Sequence, residues 1–414
     1  MRTFRKTVTE PEELEEGHGW GAWLQGGINA VGRYLFLLVC AAASAWLVYK
    51  SYPGQSQHEL AWFALAPFIW GVTKTKGFWS SFLYSWLTAF LFNAGIFYWI
   101  FYTCLHGGGL SKGLSLAAWL GLSGLMSVQF ALFGGSCYFL RKTGGFFPLL
   151  AACGFVAWEW LHQTLAFYGL GFPWVMLGYT QWNAPEMLQL ASFTGVYGIS
   201  FLIVFVGASI GWAFATPGVK DGLWHMVYAA VLFLGVYAYG HYALPGSSQQ
   251  LVNRQPLLSL NAALMQPNID QYKKWSPEYE TEILNTLNQM GHSLDGKGVR
   301  LMVWPESAVP GSLTEERYME LFKDIGGATG AYQFIGSNIT EPDGKQYVGA
   351  YLLAPQAEGL LQSYRKIKLV PFGEYIPLES TVRSLFKDVE VLGELGSFTP
   401  GPRGQKPLDL GGVR

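Results

Sequence analysis

Between positions 34 and 245 the chain carries only four acidic residues, Glu59, Glu159, Glu186 and Asp221, whereas from Gly246 onward there are 19. A stretch so long and so poor in charge cannot present polar surface to water on all sides. The apolar segments within it run over residues 34–49, 60–72, 78–105, 114–140, 146–167, 187–215 and 223–244. A hydrocarbon core of about 30 Å takes about 20 helical residues, so the last five are of spanning length. The first two are short and read either as two tight spans or as one re-entrant hairpin. Either way the pair returns the chain to the side where it entered. The bulk composition agrees, with 13% charged residues against about 25% in an average chain.

Basic residues orient the bundle. With the N-terminus inside, Arg2, Arg5, Lys6, Arg33, Lys74, Lys76, Arg141, Lys142 and Lys220 lie on the cytoplasmic side, and only Lys50 and Lys112 lie outside. That bias follows the positive-inside rule and places everything after the last span outside the cytoplasm. The expected organisation is a cytoplasmic tail over 1–33, a transmembrane domain over 34–245, a linker over 246–257 and a separate domain over 258–414. The first 30 residues are polar and acidic-rich, which argues against a cleavable signal peptide. A net charge of −1 without a dense Lys/Arg run argues against nucleic acid as a partner. Cys40, Cys104, Cys137 and Cys153 all lie in or beside apolar stretches, so residues 246–414 hold no disulfide and no Cys/His metal spacing.

Some features of the apolar half have two readings. Glu159 and His162 share a helix face at membrane depth, either as a functional pair or as a polar pair that fixes packing. Gly107-Gly108-Gly109 lacks the strand-turn-helix setting of a phosphate loop and reads as an ordinary loop. Phe172-Pro173-Trp174 and Tyr197-Gly198 read as interfacial aromatic anchors.

The polar half alternates. Residues 258–265 read as a strand ending in the Gln266-Pro267-Asn268 turn. Ser276-Pro277 opens a helix whose apolar positions are Tyr279, Ile283, Leu284, Leu287 and Met290. Residues 299–304 form a buried strand and 315–327 a helix. Residues 332–335, 348–353 and 360–370 are strands or extended segments. Such alternation indicates an α/β layered domain.

Two places there carry chemistry. In Val303-Trp304-Pro305-Glu306 a carboxylate follows directly on a strand, and proline ends the ladder. In an apolar setting that carboxyl has a raised pKa and suits a general base. The run from Tyr364 through Arg365, Lys366 and Lys368 to Glu374 gathers basic groups and a second carboxylate at another strand end. A lysine there can stabilise an oxyanion, with Glu374 holding it charged and oriented. Taken singly, each cluster also reads as an ordinary salt bridge.

Together with the membrane half, these motifs resemble the apolipoprotein N-acyltransferases, membrane members of the nitrilase (carbon–nitrogen hydrolase) superfamily. The resemblance runs from about Tyr34 and includes Gly171-Phe172-Pro173-Trp174, Leu177-Gly178-Tyr179-Thr180-Gln181 and Gly195-Val196-Tyr197-Gly198-Ile199-Ser200-Phe201. It continues through Gln266-Pro267-Asn268-Ile269, Lys274-Trp275, Trp304-Pro305-Glu306-Ser307-Ala308-Val309-Pro310 and the stretch from Lys366 to Pro377. Where the family often has arginine after Glu159-Trp160-Leu161, this chain has His162.

The resemblance implies a multi-pass α-helical membrane domain carrying an αββα nitrilase-like sandwich on the outer face of the bacterial inner membrane. It implies Glu306 as general base, Lys366 as stabiliser of the tetrahedral intermediate, Glu374 as supporting glutamate and Trp275 as a loop tryptophan at the entrance. The implied reaction passes an acyl chain from a membrane phospholipid through a cysteine thioester to the N-terminal amine of a diacylglyceryl-cysteine prolipoprotein. It implies neither metal nor organic cofactor. The family's nucleophilic cysteine follows a segment like Leu410-Gly411-Gly412-Val413-Arg414, and no cysteine follows Cys153 here. The expectation is therefore a chain truncated within the sandwich and inactive by itself. The alternatives are a membrane-tethered amidase, an inactive lipoprotein-binding paralogue and a transporter.

Overall fold

The computed structural model describes residues 20–167, 172, 174–216, 220–253, 260–270, 273–355, 362–371, 373–376, 379–380, 384 and 398–410. Two compact units result. One comprises residues 1–97 and 120–247, the other residues 98–119 and 248–414.

The first unit is helical. Its elements are α1 (Trp20–Ser51), α2 (Ala61–Thr73) and α3 (Phe78–Ile96), followed by the single turn α4 (Trp99–Tyr102), which belongs to the other unit. Then come α5 (Lys112–Leu140), α6 (Phe147–Phe167), the short turns α7 (Pro185–Leu188) and α8 (Ala191–Thr194), α9 (Val196–Ala215) and α10 (Lys220–Asn253). By length and composition, Ala30–Ser51, Val196–Ala215 and Leu223–Leu244 are each apolar enough to cross a membrane. So is the run Lys112–Ala166, which Gly144 (φ 60°, ψ −123°) breaks between α5 and α6. The expected single span over 78–105 is instead bent by 53° between Phe78–Ile96 and Trp99–Gly107, and it closes on a π turn at Thr103–Gly107.

Two sequence expectations need adjustment. The first apolar segment is not short, because its helix begins at Trp20. The expected linker begins as helix, since α10 runs on through Pro245 and Gly246 to Asn253. An internal proline removes one backbone bond and bends a helix without always ending it. Residues 1–19 of the expected tail and 254–257 of the linker lie outside the described residues.

The 13-residue α2 covers about 20 Å at 1.5 Å per residue and is the shorter member of the first pair of apolar helices. It lies at the centre of the unit, with Ala61, Ala64, Leu65, Phe68, Ile69 and Val72 fully buried. Helix α2 contains Pro67, and the next amide, that of Phe68, donates to Ser44 Oγ of α1 at 2.7 Å. A neighbouring hydroxyl thus satisfies a backbone donor buried between helices. At the C-terminus of α2, Arg141 Nη1 donates to the carbonyls of Val72, Thr73 and Thr75 at 3.3, 3.0 and 2.9 Å. Val72 O also accepts from the Thr75 amide and hydroxyl, so the arginine adds to the capping of the end of α2 and of the turn that follows it.

The second unit carries a five-stranded mixed sheet in the order β1-β2-β3-β4-β5. Its strands are β1 (Ala262–Leu264), β2 (Leu301–Val303), β3 (Tyr332–Thr340), β4 (Gln346–Leu353) and β5 (Gln362–Arg365). The first three are parallel, joined through helices α11 (Glu280–His292) and α12 (Glu316–Thr329), and the last two pair antiparallel. Alternate residues Ile335 and Ile339 of β3, with Tyr347, Tyr351 and Leu353 of β4, share one core with Leu287, Phe322 and Ile325 of the helices. Period 2 in the strands and period 3.6 in the helices put these side chains on facing surfaces.

Candidate active site

The chain leaves β2 over a short arch. The amides of Trp304 and Ala308 both bond to β3, donating to the carbonyls of Phe334 and Gly336 at 2.8 Å each. Residues 305–307 bow outward between these anchors, and Ser307 takes φ 48°, a left-handed conformation few side chains adopt. Gly336 makes the arch possible. A Cβ there would stand 2.4 Å from the Pro305 carbonyl oxygen and 2.6 Å from Glu306 Cα. The indole of Trp304 is buried, donates to Gln333 Oε1 at 3.1 Å and packs edge-on against Phe322. The arch is therefore rigid at both ends and presents Glu306 at its crest.

Lys366 follows β5 directly. Its amide donates to Val348 O at 2.7 Å and its carbonyl accepts from Gly401 N at 2.8 Å. Backbone fixed on both sides aims the ammonium into the space before the arch. Lys366 Nζ reaches Glu306 Oε1 at 3.0 Å and Glu374 Oε1 at 2.6 Å. Glu374 is held at three further points: its second oxygen accepts from Val370 N at 2.9 Å, its amide donates to Val370 O, and its carbonyl accepts from Phe398 N. The three charged side chains come from strand ends 60 residues apart in sequence.

Burial lowers the affinity of Lys366 for its proton, but the two carboxylates outweigh it and raise the pKa above the ordinary lysine value. This lysine stays cationic, as an electrostatic stabiliser requires and a general base would not. The expected apolar setting of Glu306 is not there. Its side chain is 63% exposed and ion-paired, because Trp304 occupies the buried position and the arch pushes the next polar residue outward. Glu374 is the shielded carboxylate, 15% exposed.

Lys274 entered the sequence reading only as part of the Lys274-Trp275 motif, with no role of its own. Its Nζ donates to the Glu306 carbonyl at 3.2 Å and lies 5.8 Å from the ring centre of Trp275, which is about half exposed. Trp275 therefore stands next to the cluster through its neighbour. Burial lowers the pKa of Lys274, opposed by Glu306. The signal was present in Lys274-Trp275, but only the fold shows which carbonyl the ammonium finds. Phe372, Pro377 and residues 411–414 lie outside the described residues.

Glu159 and His162 belong to the helical unit. Glu159 is buried in the helical unit and accepts from Leu177 N at 2.8 Å, while His162 Nε2 lies 3.3 Å from Phe172 O. Both side chains thus touch the chain between residues 172 and 177. Among the described residues, no group of three or more His, Cys, Asp or Glu is placed to hold a metal ion.

A mixed sheet with this cluster at its strand ends defines the class: residues 261–411 match the family model described as carbon-nitrogen hydrolase. Residues 30–209 match the model described as the apolipoprotein N-acyltransferase N-terminal domain. Among curated relatives, an apolipoprotein N-acyltransferase of Geobacter metallireducens is 31% identical over 394 residues, covering 90% of this chain and 70% of the relative. One from Chlorobaculum tepidum is 27% identical over 381 residues, covering 86% and 68%. One from Allorhizobium ampelinum is 30% identical over 329 residues, covering 75% and 58%. The chain belongs to the apolipoprotein N-acyltransferase family, a family of transferases, and the apolar helices of its first unit fit a membrane protein.

Proposed function

We propose that this chain carries the base and electrostatic machinery of phospholipid-to-lipoprotein acyl transfer. The acyl donor is a membrane phospholipid, and the acceptor is the free amine of a diacylglyceryl-cysteine prolipoprotein. The helical unit crosses the bacterial inner membrane several times, and the α/β unit works on its outer face. Both substrates are lipid-anchored, which accounts for a hydrolase-type domain joined to a helix bundle.

In this reading Glu306 takes the proton of an attacking thiol, and the thiolate adds to the ester carbonyl of the donor. Lys366 faces the oxygen that becomes negative, and Glu374 keeps that ammonium in place. The lysophospholipid leaves with the proton from Glu306. The acceptor amine then attacks the thioester, gives its proton to Glu306, and the amide forms as the thiolate departs. Trp275 lines the approach. The thiol is not among residues 154–414, which contain no cysteine. The expected consequence is that the 414-residue chain forms no acyl-thioester.

The observation that carries the reading is the single ammonium of Lys366 shared by Glu306 and Glu374. The test extends the chain past position 410 with the corresponding segment of the Geobacter metallireducens relative. Labelled acyl transfer to a diacylated lipopeptide is expected, and it should depend on Glu306 and Lys366. Hydrolysis of simple amides without transfer would identify a tethered amidase instead.

A further inference from the structure

Where the end of α1 meets α3, α5 and α6, the helical unit holds an internal cavity of about 40 Å³. A water needs about 10–15 Å³ of such space, so one or two small guests fit. Four phenylalanines line it together with Tyr52, Asn93, Gln129, Glu159, His162 and Gln163. No Lys or Arg is among the lining residues. The wall is thus apolar in part and otherwise rich in oxygen, with one carboxylate.

Two buried acceptors in this wall have no donor among the described residues. Glu159 is 2% exposed; its Oε1 accepts from Leu177 N at 2.8 Å, and its Oε2 is unpartnered. The Ser200 hydroxyl stands near the carboxyl group but brings no charge. Asn93 is 3% exposed, and its Oδ1 is unpartnered as well. A chain of hydrogen bonds fixes that amide. Ser127 Oγ gives its proton to the Ser123 carbonyl at 2.7 Å, so it can only accept from Asn93 Nδ2, at 3.1 Å. A flipped amide would set two acceptors against each other. His162 turns Nε2 to the Phe172 carbonyl at 3.3 Å, and Glu159 has no ion pair among the described residues.

We propose that this cavity binds one monovalent cation of sodium size, held by Glu159 Oε2 of α6 and Asn93 Oδ1 of α3, with water completing its shell. A buried carboxylate without a counter-charge is costly, and water supplies donors but no charge. A proton would neutralise it without occupying the space that the wall encloses. Carboxylate, amide and water oxygens are hard ligands and select hard cations. One carboxylate balances one positive charge, so a monovalent ion leaves the cavity neutral and a divalent ion does not. The ion ties α3 to α6 through side chains that the chain itself leaves unmatched. The site lies wholly within the helical unit and is independent of the acyl-transfer chemistry.

The experiment is thermal unfolding of the full chain in detergent near neutral pH, in sodium chloride or in N-methylglucamine chloride at equal concentration. Sodium at about 150 mM should raise the midpoint by about 3–5 °C, and the effect should saturate. Glu159→Gln keeps an acceptor for Leu177 N and removes the charge, so its midpoint should be the same in both salts. Asn93→Leu should retain the sodium effect but need about tenfold more ion, the scale of one lost ligand. Equal wild-type midpoints in the two salts would leave the cavity to water or a proton and overturn the proposal, whatever the variants do. A sodium shift of wild-type size in Glu159→Gln, or an unmoved half-saturation in Asn93→Leu, would overturn it too. Acyl transfer is not part of the readout, so failure here leaves that reading standing.

Discussion

Glu159 and Glu306 are both carboxylates set off by an apolar context in sequence, and the two units use them in opposite ways. In the helical unit Glu159 is buried and accepts a backbone amide. In the α/β unit Glu306 stands at the crest of an arch, open to solvent and facing an ammonium. Burial without a counter-charge from a side chain makes a carboxylate a structural brace, and exposure beside a fixed cation makes it available for chemistry. Arg141 and Lys366 repeat the contrast among the cations: one is occupied by three carbonyls, the other by two carboxylates.

Substitutions in the α/β unit should produce the largest effects. In the extended chain, Lys366→Ala should lower acyl transfer about a thousandfold, the scale of a lost oxyanion donor. It should do so with little change in thermal unfolding, and comparable transfer by that variant would remove the lysine from the mechanism. Glu306→Gln should cost about a hundredfold or more in the same transfer assay.

The helical unit should respond in stability instead. Glu159→Ala leaves the Leu177 amide without its acceptor and should cost about 2 kcal/mol, whereas Glu159→Gln should recover most of it, read by unfolding in detergent. A Gln variant that unfolds normally but loses transfer altogether would make Glu159 functional and break the comparison. Arg141→Ala should cost about 1–2 kcal/mol by removing a donor from the carbonyls of Thr73 and Thr75.

The smallest effect concerns His292, which bridges α11 and α12 through Asp295 at 3.1 Å and Asp324 at 3.0 Å. Hydrogen bonds to these carboxylates raise its pKa above the ordinary value of 6.5. The stabilisation is therefore complete below about pH 6.5 and fades as pH rises through the higher folded-state value. The side chain is 31% exposed, so solvent screening limits the contribution to about 0.5 kcal/mol. Unfolding midpoints of wild type and His292→Gln should differ at pH 6 and converge at alkaline pH.

The sheet and its helices were legible in the sequence because each buries one face, and their periods of 2 and 3.6 are written into Ile335/Ile339 and Ile283/Leu287. Edges were less legible. Strand β5 stops at Arg365, because the next residues serve the site. The apolar pattern of α2 did not reveal that it lies at the centre of its unit, since hydropathy reads the same for a lipid-facing and a buried helix. Glu306, Lys366 and Glu374 were legible as candidates through their placement after strands and a family resemblance. Their convergence was not, and neither were the supporting roles of Lys274, Gly336 and Val370.

By itself the sequence determined an apolar helical half, a polar α/β half and the few charged groups available for chemistry, because these follow from local composition and period. Only the tertiary structure decided that Lys366 neutralises two carboxylates at once, that Glu159 braces a backbone segment, and that Glu159 and Asn93 line one cavity. Each of these depends on distances between strands or helices far apart in the chain, and no local pattern encodes them.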